Sequence, residues 1–133
     1  MSAEIAYLDT SAVVKLLVPE AESSALRAEL RRWPRRASSA LLGVELQRVV
    51  RRAGLPALLT TTRRQLATIH LLGVSQEILD RAAGLEPWTL RSLDSLHLAS
   101  ALQLGGELGA VVTYDHRMTE GASAIGIPTI SPC

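Results

Sequence analysis

Apolar positions along the chain follow two patterns, short continuous runs and longer stretches with helical spacing. The short runs at residues 4–8 and 110–114 are typical of buried strands, residues 36–39 fit another short strand, and residues 126–130, with an internal proline, fit an edge strand. Helical spacing predicts the helices, at residues 12–18, 20–33, 40–53, 56–72, 76–84 and 92–104. This alternation predicts an α/β fold, a three-layer α/β/α sandwich with a largely parallel central sheet.

Length and composition indicate one globular domain spanning residues 1–133. Hydrophobic residues make up 47% and charged residues 20%, which excludes a disordered chain, and the net charge of +1 does not by itself require a polyanionic partner. The only cysteine, Cys133, excludes an internal disulfide and a cysteine-rich metal site. Residues 1–4 carry an acid and no basic region, so we expect no secretory signal, no membrane span and a cytoplasmic location.

Four acidic residues lie beside or inside apolar elements, namely Asp9, Glu45, Asp94 and Asp115. Asp9 and Asp115 each follow a predicted strand, so a parallel sheet would bring them to one edge. Asp94 falls in the first turn of a helix with Ser92 as its expected N-cap, and Glu45 lies one turn into its helix with a longer side chain. Buried carboxylates are costly unless paired, hydrogen-bonded or bound to a cation, so their convergence predicts a divalent-metal site.

Each acid also has a purely structural interpretation. Asp9 and Asp94 fit helix caps or first-turn positions, and Asp115 fits a turn after a strand. Glu45 fits the exposed side of an amphipathic helix. The joint pattern favours the metal site over four separate coincidences.

Four short motifs resemble those of the PIN-domain family, in order and at similar spacing. They are YLDTSA at residues 7–12, EL at 45–46, LDSLHLA at 93–99 and VTYD at 112–115. The resemblance covers essentially the whole chain. Within the family, the short single-domain form with this type of helix is similar to VapC-type toxins of bacterial toxin–antitoxin pairs.

The resemblance implies an endoribonuclease that uses Mg²⁺ or Mn²⁺ to hydrolyse phosphodiester bonds in RNA, tRNA or rRNA being substrates that fit the family. The acidic quartet of the family is matched by Asp9, Glu45, Asp94 and Asp115. Hydroxyl positions that often support the site are matched by Ser11 and Thr113, although either hydroxyl also suits a helix terminus or a strand end. A cognate VapB-like antitoxin and a homodimer are further implications.

Metal-assisted hydrolysis accounts for this choice of residues. Carboxylate oxygens suit Mg²⁺ or Mn²⁺, and a bound ion activates water for in-line attack on phosphorus. We expect Asp9 and Asp94 to contact the ion directly, with the other two acids binding through water, holding a second ion or orienting the nucleophile. His97 either faces the cleft or packs as a hydrogen-bonded core residue.

Binding surfaces have two interpretations each. Arginine clusters lie at residues 31–36, 48–52 and 63–64. These clusters fit two roles, contact with an RNA backbone around the acids or simple solvated helix faces. His116 and Arg117, expected in a loop, contact phosphate or are solvated. An apolar groove for an antitoxin segment, or simply core, would be formed by Leu16, Leu17, Leu26, Leu30 and Trp33.

Two other functions are compatible with parts of the pattern. A non-catalytic RNA- or partner-binding PIN module would keep the fold and act by sequestration. A phosphatase of the haloacid dehalogenase type also has an aspartate after its first strand, but it requires a second aspartate two residues later, where this chain has Ser11. It also requires a late cationic residue, and the only lysine is the early Lys15.

Overall fold

Five parallel strands form one sheet in the order β3-β2-β1-β4-β5. The computed structural model describes residues 3–133. Its strands are β1 (Ile5–Leu8), β2 (Arg35–Ser39), β3 (His70–Leu72), β4 (Leu108–Val112) and β5 (Thr129–Ile130). Its α-helices are α1 (Thr10–Leu17), α2 (Ser23–Leu30), α3 (Leu41–Arg52), α4 (Leu59–Leu66), α5 (Gln76–Ala83), α6 (Ser92–Leu102) and α7 (His116–Ala124).

Helices cover both faces of the sheet, so the predicted three-layer α/β/α sandwich is confirmed. Side chains of the central strand β1 alternate between the two faces, as the twofold period of a strand requires. Ala6 and Leu8 pack in a core cluster with α1, α2 and α3, whereas Tyr7 packs in a second cluster with α6 and α7. All four residues of β1 are buried, which explains its continuous apolar sequence.

Two predicted elements need correction. The helix expected over residues 56–72 ends at Leu66, and His70–Leu72 instead form strand β3, paired with β2. A three-residue strand is too short for its period to be distinguished from a helical one, and its pairing with β2 decides its conformation. Residues 116–124, expected to begin as a loop, form helix α7.

The helix that carries Asp94 begins one residue earlier than expected. Arg91 occupies the N-cap position and Ser92 is the first helical residue, so the predicted role of Ser92 as N-cap is wrong. Asp94 still falls in the first turn. The helix dipole therefore still favours a negative charge at this position.

Of the two interpretations of the leucines on α1 and α2, core packing is confirmed and the antitoxin groove is wrong. Leu16 and Leu17 are 6% exposed, and Leu26 and Leu30 are almost completely buried. Trp33 is half-buried and packs against Gly109 of β4, where an added Cβ would lie 2.2 Å from the indole ring. These side chains stabilise the fold rather than present a free apolar surface.

Nothing within residues 3–133 forms a helix long and apolar enough to cross a membrane. The expectation about a leader segment concerns Met1 and Ser2 in part, which lie outside the described residues. Cys133 is free and exposed.

Candidate active site

Asp9 lies directly after β1 and is 5% exposed. Its Oδ1 accepts a hydrogen bond from the backbone N–H of Ser11 at 3.2 Å, which caps α1. Its Oδ2 accepts bonds from the hydroxyl of Ser11 at 2.9 Å and from that of Thr113. These three donors hold the Asp9 carboxylate in one orientation at the end of the central strand.

The two hydroxyls also join neighbouring strand ends. Ser11 Oγ accepts the backbone N–H of Tyr114 at 2.9 Å, and Thr113 Oγ1 accepts that of Asp115 at 3.0 Å. Each hydroxyl therefore does two things, because it donates to Asp9 and also accepts a backbone N–H in the segment after β4. Whether they support catalysis stays a prediction.

Asp115 is the N-cap of α7. Its Oδ1 accepts the backbone N–H of Arg117 at 2.9 Å. β1 and β4 are parallel neighbours, so Asp9 and Asp115 emerge at the same edge of the sheet. His116 and Arg117 are exposed in the first turn of α7 rather than in a loop.

Asp94 is half-buried in the first turn of α6, and its Oδ2 has no hydrogen-bond partner among residues 3–133. Burial raises the pKa of its carboxyl group above the ordinary value, and the negative charges of Asp115 and Asp9 raise this pKa further. The charges of both Asp9 and Asp115 therefore act on the Asp94 carboxyl group. A buried carboxylate oxygen without a donor is an uncommon feature that a cation would satisfy.

Glu45 extends from α3 to the buried imidazole of His97 on α6. The distance between Glu45 Oε1 and His97 Nε2 is 2.8 Å, and His97 is 2% exposed. On its other side, His97 Nδ1 lies 2.7 Å from the hydroxyl of Tyr7. His97 is thus a packed, hydrogen-bonded residue, and it lies one helical turn after Asp94.

The donor set at this edge fits a hard divalent cation by its chemistry. Carboxylate oxygens are the ligands that Mg²⁺ and Mn²⁺ prefer, and Asp94 Oδ2 is a buried acceptor without a partner in the described residues. Among residues 3–133, however, no three histidine, cysteine, aspartate or glutamate side chains are already arranged as a set that could hold an ion. The fit therefore rests on donor type and on the unpaired oxygen, not on a preformed ligand cage.

Two cationic residues lie beside the acids, of which Arg117 was expected from the sequence as a phosphate contact or a solvated residue and Arg91 was missed. Arg91 at the N-cap of α6 and Arg117 in the first turn of α7 are both exposed, each within a few residues of an acid. Arg31, Arg35 and Arg36 instead line a cavity of about 960 Å³ with Ile5 at the start of β1, at the edge opposite the acids. An isolated arginine such as Arg91 has no clustering signal, but its position three residues before Asp94 would have revealed it.

Comparison with known proteins agrees with the fold. The PIN domain profile matches residues 6–123. Ribonuclease VapC46 of Mycobacterium tuberculosis (strain H37Rv) is 48% identical over 126 residues, covering 95% of this chain and 96% of the relative. Ribonuclease VapC47 of Mycobacterium tuberculosis (strain CDC 1551) is 42% identical over 130 residues, with the same coverage of 95% and 96%. The chain belongs to the PIN-domain family, among its VapC-type members.

Solved structures show the same fold. A chain of a toxin–antitoxin complex from Klebsiella pneumoniae superposes with a TM-score of 0.72 at 24% identity, covering 96% of this chain and 98% of that one. Mycobacterium tuberculosis VapC20, described as a sarcin–ricin loop cleaving toxin, superposes with a TM-score of 0.75 at 15% identity, covering 96% and 99%. At these identities the likeness concerns the fold.

Proposed function

We propose that this chain is an Mg²⁺- or Mn²⁺-dependent endoribonuclease and the toxin of a toxin–antitoxin pair. The related ribonucleases VapC46 and VapC47 support the activity at 48% and 42% identity. The observation that carries the proposal is the half-buried Asp94, whose Oδ2 has no partner among residues 3–133 and whose pKa is raised by burial, Asp115 and Asp9. Such an arrangement favours the binding of a cation.

In this proposal the acids have distinct tasks. Asp9, oriented by three hydrogen bonds, and Asp94, with its unpaired oxygen, contact the ion directly. Asp115 and Glu45 complete the site through water, a second ion or the orientation of the nucleophile. When bound, the ion supplies an activated water and neutralises charge on the phosphate. Ser11 and Thr113 act by holding the Asp9 carboxylate in place.

RNA binding is assigned to the cations at the acidic edge. Arg91 and Arg117 are exposed beside Asp94 and Asp115, where they can contact phosphates that flank the scissile bond. A structured RNA such as tRNA or rRNA suits a chain in which aromatic residues are only 3% of the sequence, because few rings can stack on bases.

The proposal includes a VapB-like antitoxin, a homodimer and a cytoplasmic location. The Klebsiella pneumoniae structure is a toxin–antitoxin complex, which supports the antitoxin. Val44 and Leu93, 59% and 48% exposed, adjoin Glu45 and Asp94 in sequence and are candidates for a protein interface beside the site.

Cleavage of purified tRNA and rRNA with Mg²⁺ or Mn²⁺, against an EDTA control, tests the proposed activity. Asp9→Asn and Asp94→Asn should abolish cleavage while circular dichroism shows a folded protein. Asp80→Asn on the exposed side of α5 is the matched control and should cleave like wild type. Full cleavage by either active-site variant would reject the mechanism, and RNA binding without cleavage by the wild type would favour a non-catalytic module.

Inducible expression in a bacterium tests the toxin role separately. Growth arrest that is relieved by co-expression of the adjacent small gene is the expected result. Absence of toxicity from a chain that cleaves RNA in vitro would instead assign it to general RNA processing.

A further inference from the structure

A buried pair of side chains connects the core of the protein to Glu45. Tyr7 on β1 is completely buried, and its hydroxyl lies 2.7 Å from His97 Nδ1. His97 Nε2 lies 2.8 Å from Glu45 Oε1 and 3.5 Å from Thr10 Oγ1. Of Tyr7, His97 and Glu45, the glutamate is the most exposed, with 20% of its side chain accessible to solvent.

These contacts select one tautomer of His97. The Glu45 carboxylate oxygen beside Nε2 can only accept, so a neutral imidazole carries its proton on Nε2, and Nδ1 then accepts from the hydroxyl of Tyr7. That proton faces the Glu45 carboxylate, an acceptor. The opposite tautomer would place the lone pair of Nε2 against the carboxylate at 2.8 Å, so two acceptors would face each other.

We propose that His97 is a positioning residue that holds Glu45 at the acidic edge, and that Tyr7 fixes the imidazole tautomer required for this. The inference rests on the proposed nuclease function, in which Glu45 takes part. His97 and Asp94 are one helical turn apart on α6, so the bond ties a glutamate of α3 to the helix that carries Asp94. Without the bond, Glu45 would regain rotamer freedom and lose its fixed orientation towards His97.

The experiment compares variants that remove or restore the donor. His97→Leu fills the core without a donor, His97→Gln keeps an N–H donor, and Tyr7→Phe removes only the hydroxyl that selects the tautomer. His70→Gln, at an exposed histidine of β3, is the matched control. Thermal unfolding of every variant establishes that it is folded.

Three measurements separate positioning from a structural role. ¹⁵N NMR of histidine-labelled, metal-free protein should show His97 protonated on Nε2, with Tyr7→Phe introducing the other tautomer. Mn²⁺ affinity without RNA and kcat for RNA cleavage should fall about 10- to 100-fold in His97→Leu, with KM for RNA unchanged. His97→Gln should recover part of the loss, and His70→Gln should match wild type.

Several outcomes would overturn the inference. An Nδ1–H tautomer in the wild type would do so, as would a folded His97→Leu with unchanged Mn²⁺ affinity and kcat. If His97→Leu does not fold, a Tyr7→Phe variant that matches wild type in tautomer and kcat would be decisive against it. The proposed function fails separately if the wild type does not cleave RNA or if Asp9→Asn cleaves fully.

Discussion

Replacement of Thr113 by valine tests whether its hydroxyl holds Asp9 in place. Thr113 is completely buried, its Oγ1 donates to Asp9 Oδ2, and it accepts the backbone N–H of Asp115 at 3.0 Å. Valine keeps the shape of the side chain and deletes both bonds. A hydrogen bond to a charged group contributes about 1.5–3 kcal/mol, and a donor left without its acceptor costs about 1–3 kcal/mol. Allowing for the added apolar group and partial solvation, we expect a loss of about 2–4 kcal/mol in the free energy of unfolding.

Urea and thermal unfolding of the metal-free protein measure this loss. For a domain of this length, it corresponds to a decrease in Tm of roughly 6–16 °C. Thr119→Val is the matched control, because its hydroxyl donates to the Asp115 carbonyl, which already accepts the backbone N–H of Thr119 at 3.0 Å. The control should lose less than about 1 kcal/mol. A Thr113→Val variant within about 0.5 kcal/mol of wild type would refute the assigned role of the hydroxyl.

Three further changes test the acids, the RNA contacts and the packing. Asp94→Asn should stabilise the metal-free protein at neutral pH. The folded-state pKa of Asp94 is raised, so the stability that its carboxyl group contributes at low pH is lost as the pH rises through that pKa. Urea unfolding at several pH values should show that the asparagine variant lacks this pH dependence of stability. Arg91→Gln should raise KM for RNA several-fold and reduce the salt dependence of KM, with little change in kcat. Arg52→Gln, at the exposed end of α3, should raise KM by a smaller factor. Equal increases in KM in steady-state assays would contradict the contact assigned to Arg91. Gly109→Ala should lower the free energy of unfolding by about 1–3 kcal/mol, because the Cβ would displace the indole ring of Trp33, and an unchanged urea midpoint would count against that packing.

Most strands and helices could be predicted from the sequence because their periods are local. β1 and β4 are continuous apolar runs, and the buried residues of α3 recur every four positions, at Leu42, Leu46 and Val50. β3 and α7 were missed for different reasons. β3 is too short for its period to show, and α7 has few apolar positions, with Gly121 packed directly against Leu90.

In the candidate site, too, some features could be predicted from the sequence and others could not. Asp9 and Asp115 could be placed at one edge because each follows a strand, and parallel strands share their carboxyl edge. The contact between Glu45 and His97 joins residues 52 positions apart, and that between Tyr7 and His97 joins residues 90 apart. No local pattern specifies which side chains meet across such separations.

By itself, the sequence determined the alternation of strands and helices and the position of each acid within its element, because both depend on neighbours a few residues away. Only the tertiary structure decided that Asp9 receives two hydroxyl donors, that Asp94 keeps an unpaired oxygen within the described residues, and that Glu45 is bonded to a buried imidazole. Those contacts depend on how α1, α3 and α6 pack around the ends of β1 and β4. Packing of this kind is set by the shape of the whole core, so the chemical state of each carboxylate is a property of the folded molecule.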